Sequence, residues 1–168
     1  VARGSTVMVD SGTIRTSGIP VGEGIAQEAH ALTAFSSAGN ATIISDSITT
    51  LGEYSLGIIG GATDGNLSIT SGSITTAGLN SAAIVAFATR GNIAIDSGII
   101  TTTGIGGDGI QTNTEGQLSI ISDFIILSGS SSTGINVAAA GGLSIANGSI
   151  VSTGDFSVGI RASSPEAM

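Results

Sequence analysis

Apolar and polar positions follow one short pattern that returns six times along the chain. Ile14, Ile48, Ile74, Ile100, Ile125 and Ile150 mark its phase, at spacings of 34, 26, 26, 25 and 25 residues. Five residues before each anchor stands an aliphatic: Val9, Ile43, Ile69, Ile95, Ile120 and Ile145. Seven before stand Val7, Ala41, Leu67, Ile93, Leu118 and Leu143. Four after stands a glycine without exception, from Gly18 to Gly154. Between these positions the residues alternate, as in Leu67-Ser68-Ile69, with the period of two that marks a strand. Helical periodicity is absent, and β-branched residues and glycine crowd out good helix formers.

A unit of 25 or 26 residues therefore predicts three short strands and three turns. One such unit cannot bury its own apolar face, so copies must stack. The expected fold is all-β: a right-handed, three-sided parallel β-helix of about six coils. At ~4.8 Å per coil the rod would be roughly 29 Å long. The aliphatics at minus seven, minus five and zero would face inward. The Ser or Asn three before the anchor (Ser11 to Asn147) would bond turn backbone. The Gly or Asp beside it, and the Gly four after the anchor, suit corners with positive φ. The Thr positions two after the anchor (Thr16, Thr50, Thr76, Thr102) face inward and need partners in neighbouring coils. The third strand carries Ile25, Ile58, Ile84, Ile110, Ile135 and Ile160.

The first interval is about eight residues too long. The excess is read at residues 27–40, as a loop inserted after the third strand of the first coil. It holds the only histidine, His30, together with Leu32 and Phe35. Insertions in solenoids often carry binding. His30, Leu32 and Phe35, with Tyr54 just beyond, are the candidate binding residues; Leu32 and Phe35 packing back on the rod is the alternative. Pro20, Tyr54, Asn80 and Phe156 each follow a corner glycine and should line one edge.

Composition narrows the function. Net charge is -8 and lysine is absent, which excludes the basic surface that nucleic acid needs. There is no cysteine, so no disulfide scaffold or cysteine-ligated zinc. Glycine, serine, threonine or aspartate interrupts every apolar stretch, so no transmembrane helix is expected. Val1–Asp10 lacks the apolar core of a signal peptide, and neither end carries a capping helix. The chain is therefore expected to be a single β-helix segment, 1–168, of a longer mature protein.

Enzyme chemistry finds little support in the spacing. Asp10 and Asp96 share a repeat position but would lie about 14 Å apart, too far for an acid–base pair. Gly106-Gly107-Asp108 matches a calcium-binding repeat once, without the array. The Asn-x-Ser/Thr matches at Asn40, Asn66 and Asn147 are turn asparagines. His30 has no G-x-S-x-G serine to serve. The reading is no enzyme, no cofactor and no metal.

The unit Gly65–Gly78 (GNLSITSGSITTAG), with Gly91–Gly104, Gly116–Gly129 and Gly142–Gly154, resembles the pertactin- and AIDA-like β-helix of bacterial autotransporter passengers, the type V secreted proteins. That resemblance covers nearly the whole chain. It implies a right-handed β-helix at the bacterial cell surface or secreted, virulence-associated, and a C-terminal β-barrel translocator in the full-length protein. Adhesion to host cells is then expected, through a host cell-surface protein or extracellular matrix. Self-association or a structural spacer is the alternative, and a polysaccharide-acting enzyme the second.

Overall fold

The computed structural model describes residues 2–17 and 29–164. Among them are thirteen strands and no helix. In chain order these are β1 (Ala2–Gly4), β2 (Val7–Thr16), β3 (Leu32–Ser36), β4 (Ala41–Thr50), β5 (Ile58–Ala62), β6 (Leu67–Thr76), β7 (Ile84–Ala88), β8 (Ile93–Thr102), β9 (Ile110–Thr114), β10 (Leu118–Leu127), β11 (Thr133–Ala139), β12 (Leu143–Ser152) and β13 (Val158–Ser163). The even-numbered strands, each ten residues long, form a six-stranded sheet. The odd-numbered strands form a seven-stranded one. Each strand pairs in parallel with the equivalent strand of the next coil, as Ile43 with Ile69 and Ile69 with Ile95. The fold is a β-solenoid of about five turns.

The first two strands expected in each coil are joined as one long strand that bends. In β6 the side chains of Leu67, Ile69 and Ser71 are buried, Gly72 and Ser73 both turn outward, and Ile74 and Thr76 are buried again. Two consecutive outward residues reset the alternation, and pairing to β8 resumes directly after Gly72. The interior is a stack of aliphatic files: Ile48, Ile74, Ile100 and Ile125 are all within 1% of full burial. Each such side chain contributes about 1.5–3 kcal/mol relative to exposure. In β12 and β13 the files open: Leu143, Ile145 and Ile150 are partly buried and Ile160 is 46% exposed, with no described strand stacked beyond them.

Three sequence-based expectations change. The first concerns the long interval. Leu32, not Ile25, pairs with Ile58 and takes the inward position of the short strand. Leu32–Ser36 is thus a strand of the solenoid and not a loop. Residues 17–31 separate β2 from β3 where residues 51–57 separate β4 from β5, so the eight extra residues precede the short strand. Ile25, Gln27 and Glu28 lie outside the described residues. Thr16 Oγ1 donates to the Ala29 carbonyl at 2.6 Å, as Thr102 Oγ1 does to that of Gly107 at 2.8 Å.

That contact is the second change. The inward Thr hydroxyls bond within their own coil, five residues on, rather than to the coil above or below. The Ser file three before the anchor also departs from turn bonding. Ser45 Oγ donates to Ser71 Oγ, while the Ser97 and Ser122 hydroxyls have no partner among the described residues.

The third change concerns glycine. Positive φ occurs neither at Gly72 nor at the described glycines four after the anchor. These positions are glycine because backbone passes over backbone. A Cβ on Gly78 would lie 1.8 Å from the Gly52 carbonyl oxygen, and one on Gly104 the same distance from that of Gly78. The left-handed residues come two places later: Tyr54, Asn80, Gly106, Ser131 and Phe156, with φ between 51° and 67°. Each of the first four donates its N–H to a carbonyl of the next coil, as Tyr54 does to Leu79 at 2.8 Å.

Candidate binding surface

Strand alternation sends Phe35, Gly61, Phe87 and Asn113 to the outer face of the short-strand sheet, on successive strands. Phe35 and Phe87 are two strands apart, which on its own would separate them by roughly 10 Å. Their ring centroids are 5.5 Å apart, tilted by 34°. Gly61 between them permits this, because a Cβ there would lie 2.6 Å from both Phe35 Cδ1 and Phe87 Cε2. The rings lean together over the bare backbone, a contact worth about 0.5–1.5 kcal/mol beyond burial. Beside them opens a cleft of about 440 Å³ lined also by Ser36, Ser37, Gly61, Ala62 and Thr63; the Ser36 hydroxyl itself is buried and bonded to the Ser5 and Gly39 carbonyls.

Phe87 also borders a second cleft of about 440 Å³ on the same face, lined by Gln111, Asn113, Asn136, Arg161 and Ser163. Register puts Gln111, Asn136 and Arg161 directly side by side on β9, β11 and β13. The Gln111 amide nitrogen donates to Asp108 Oδ2, and Asp108 Oδ1 accepts the Thr133 N–H at 2.7 Å. Both oxygens of this nearly buried carboxylate are therefore engaged. At the corner following the apolar cleft, Arg90 pairs with Asp64, each on the surface at equivalent positions of adjacent coils. Below them, the side chains of Asn40, Asn66 and Asn92 each accept the backbone N–H one coil on, at 2.8–2.9 Å. This amide file fixes the coil spacing along the edge of the aromatic cleft.

The four candidate residues His30, Leu32, Phe35 and Tyr54 fall in four different places. His30 stands at the corner before β3, where its Nδ1 accepts the Leu56 N–H at 3.0 Å. Asp108 performs the same service three coils further on, where its Oδ1 accepts the Thr133 N–H, so His30 has a structural task. Leu32 is 5% exposed and part of the core. Tyr54 is 40% exposed in the left-handed column, remote from the sheet face. Only Phe35 reaches the cleft. Asn80 and Phe156 line the corner edge with Tyr54 as expected, and Pro20 lies outside the described residues. Phe87, Gly61 and the amide row were missed. A usable signal exists: Leu32-Thr33-Ala34-Phe35 matches Ile84-Val85-Ala86-Phe87.

The corner column carries its own test. A bulky L-residue at φ near 57° costs about 1–2 kcal/mol, against the roughly 0.5–1 kcal/mol of backbone entropy that glycine loses. Phe156, 91% exposed, gives little burial in return. Phe156→Gly is therefore expected to leave the thermal midpoint unchanged or raise it slightly, and Phe156→Val to lower it. A marked drop with glycine would show that the ring contributes packing.

Elsewhere the outer surface is different. On the long-strand sheet, Ser47 and Ser73 share a hydroxyl bond, but their column turns apolar at Ile99 and Phe124, and the column of Thr75 and Thr101 does so at Ile126 and Val151, each of the four 39–50% exposed. Asp10 and Asp96 have Ile44 and Thr70 between them in register, three strand spacings of about 14 Å in all. No group of three or more His, Asp or Glu among the described residues is placed to hold a metal ion. No described helix is long and apolar enough to cross a membrane. No family model, curated protein or solved structure matches the chain.

Proposed function

We propose that this chain is a non-enzymatic binding segment of the autotransporter-passenger type, exposed at a bacterial surface or secreted, which engages a host receptor or matrix component. In this reading the solenoid is a right-handed, three-sided rod of six coils within a longer protein that ends in a translocator barrel. The observation that carries the reading is the Phe35–Phe87 cleft over Gly61. Exposed aromatics on a hydrogen-bonded sheet are rigid and lose little entropy on docking. A rod with such a face works by presentation, holding it at a fixed place and angle.

The test is binding of the labelled chain to cultured host cells, beside a Phe35→Ser/Phe87→Ser variant and a Phe124→Ser control on the other sheet. Circular dichroism would establish that all three remain β-folded. Saturable binding, reduced at least tenfold in the double variant and unchanged in the control, is expected. Equal binding by the double variant would overturn the reading. The apolar columns at Ile99, Phe124, Ile126 and Val151 favour self-association as a second reading. It requires that the same samples sediment as oligomers and that Phe124→Ser return them to monomers.

A further inference from the structure

We infer that the outer face of the short-strand sheet is a binding track for a neutral oligosaccharide, laid along the solenoid axis from the Phe35–Phe87 cleft to Arg161. This deepens the binding reading above and rests on it.

The chemistry of the face changes stepwise along the axis. It begins with two tilted rings, passes to three carboxamides and ends on a guanidinium. A sugar ring offers the matching pair of surfaces, an apolar C–H face and a rim of hydroxyls. Aromatic faces take the first, and planar amides, with donor and acceptor in one group, take the second. The two clefts meet at Phe87, so one chain can lie through both. From β5 to β13 the track crosses four strand spacings, roughly 19 Å. Successive sugars of an extended glycan advance by about one strand spacing each, so every residue of the glycan meets a new strand.

Two details prepare the track. Gln111 is held by its bond to Asp108, which leaves Oε1 to accept a sugar hydroxyl. Asp108 spends its charge on that amide and on the Thr133 N–H, so no bare carboxylate faces the ligand there. The Arg90–Asp64 pair is self-neutralising at the cleft's corner. With net charge -8 and no lysine, a polyanion would be repelled, while the Arg161 guanidinium at the end of the track disfavours a cationic chain. A protein partner seeking apolar contact would find more of it at Ile99, Phe124, Ile126 and Val151, on the other sheet.

The experiment uses an array of immobilised neutral and acidic oligosaccharides, followed by titration calorimetry on the strongest neutral binder and its shorter fragments. Affinity is expected to rise at least tenfold from disaccharide to hexasaccharide. Phe87→Ala should reduce it at least tenfold and Asn136→Ala about threefold, with Phe124→Ala unchanged. Absence of neutral binders, binding to acidic glycans alone, or equal binding by Phe87→Ala would each overturn the inference. If the Phe35→Ser/Phe87→Ser variant loses host cells while no neutral glycan binds, the sugar inference fails and the binding reading stands. If that variant still holds cells, both fail.

Discussion

Gly104→Ala is expected to destabilise the solenoid by about 3 kcal/mol or more, at the upper end of what a single added methyl does. The new Cβ would lie 1.8 Å from the Gly78 carbonyl oxygen, 2.5 Å from its carbon and 3.1 Å from Leu79 N. All three are backbone atoms of a hydrogen-bonded coil, so no side chain can swing aside. Relief requires prising the coils apart, which strains Thr103 N–H to Thr76 O and its neighbours. Because stability here is a sum of nearest-neighbour terms, damage at a central step divides the stack in two. Gly159→Ala is the matched control, since nothing lies within 4 Å of a Cβ there. Urea unfolding followed by circular dichroism should show a large fall in midpoint, or a split transition, for Gly104→Ala alone. A wild-type curve for that variant would mean that the coils can spread without cost.

Ile100→Ala is expected to cost about 2–5 kcal/mol. Ile100 is fully buried and stacks between Ile74 and Ile125 in one file. Backbone ladders on both sides hold its neighbours at the coil spacing, so the void cannot collapse, and both adjoining interfaces lose contacts. Ile160→Ala removes the same atoms from a site 46% exposed and should cost about 1 kcal/mol or less. The pair separates burial from side-chain chemistry in the same unfolding assay. Equal losses at the two positions would contradict the view that stacking between coils makes the core.

The interior was legible because one residue type recurs at one phase. The period of two places Ile43, Ile69, Ile95 and Ile120 inward, and all are 2% exposed or less. The glycine column was visible too, but its reason was not. Nothing local distinguishes a glycine needed for positive φ from one over which a carbonyl passes 26 residues away. The first coil went out of phase because Ile25 and Leu32 are both aliphatics at workable distances from Ile14. The spacing to the following turn would have decided it: Gly39-Asn40 stands seven after Leu32, as Gly65-Asn66 stands seven after Ile58 and Gly91-Asn92 seven after Ile84. With the phase corrected, Phe35 becomes an outer-face residue in line with Phe87. Their contact over Gly61 still needed the cross-strand register, since 52 residues separate the two rings.

The ladders that join one coil to the next run along the rod's own axis. Tension applied at the two ends of the rod therefore does not shear many hydrogen bonds together; it loads the outermost ladder first and peels it. Each coil of 25 or 26 residues released in this way adds roughly 80 Å of slack. An anchored rod under flow would then give way in small steps from an end, as a tether with built-in length, while the coils still stacked kept the face they carry.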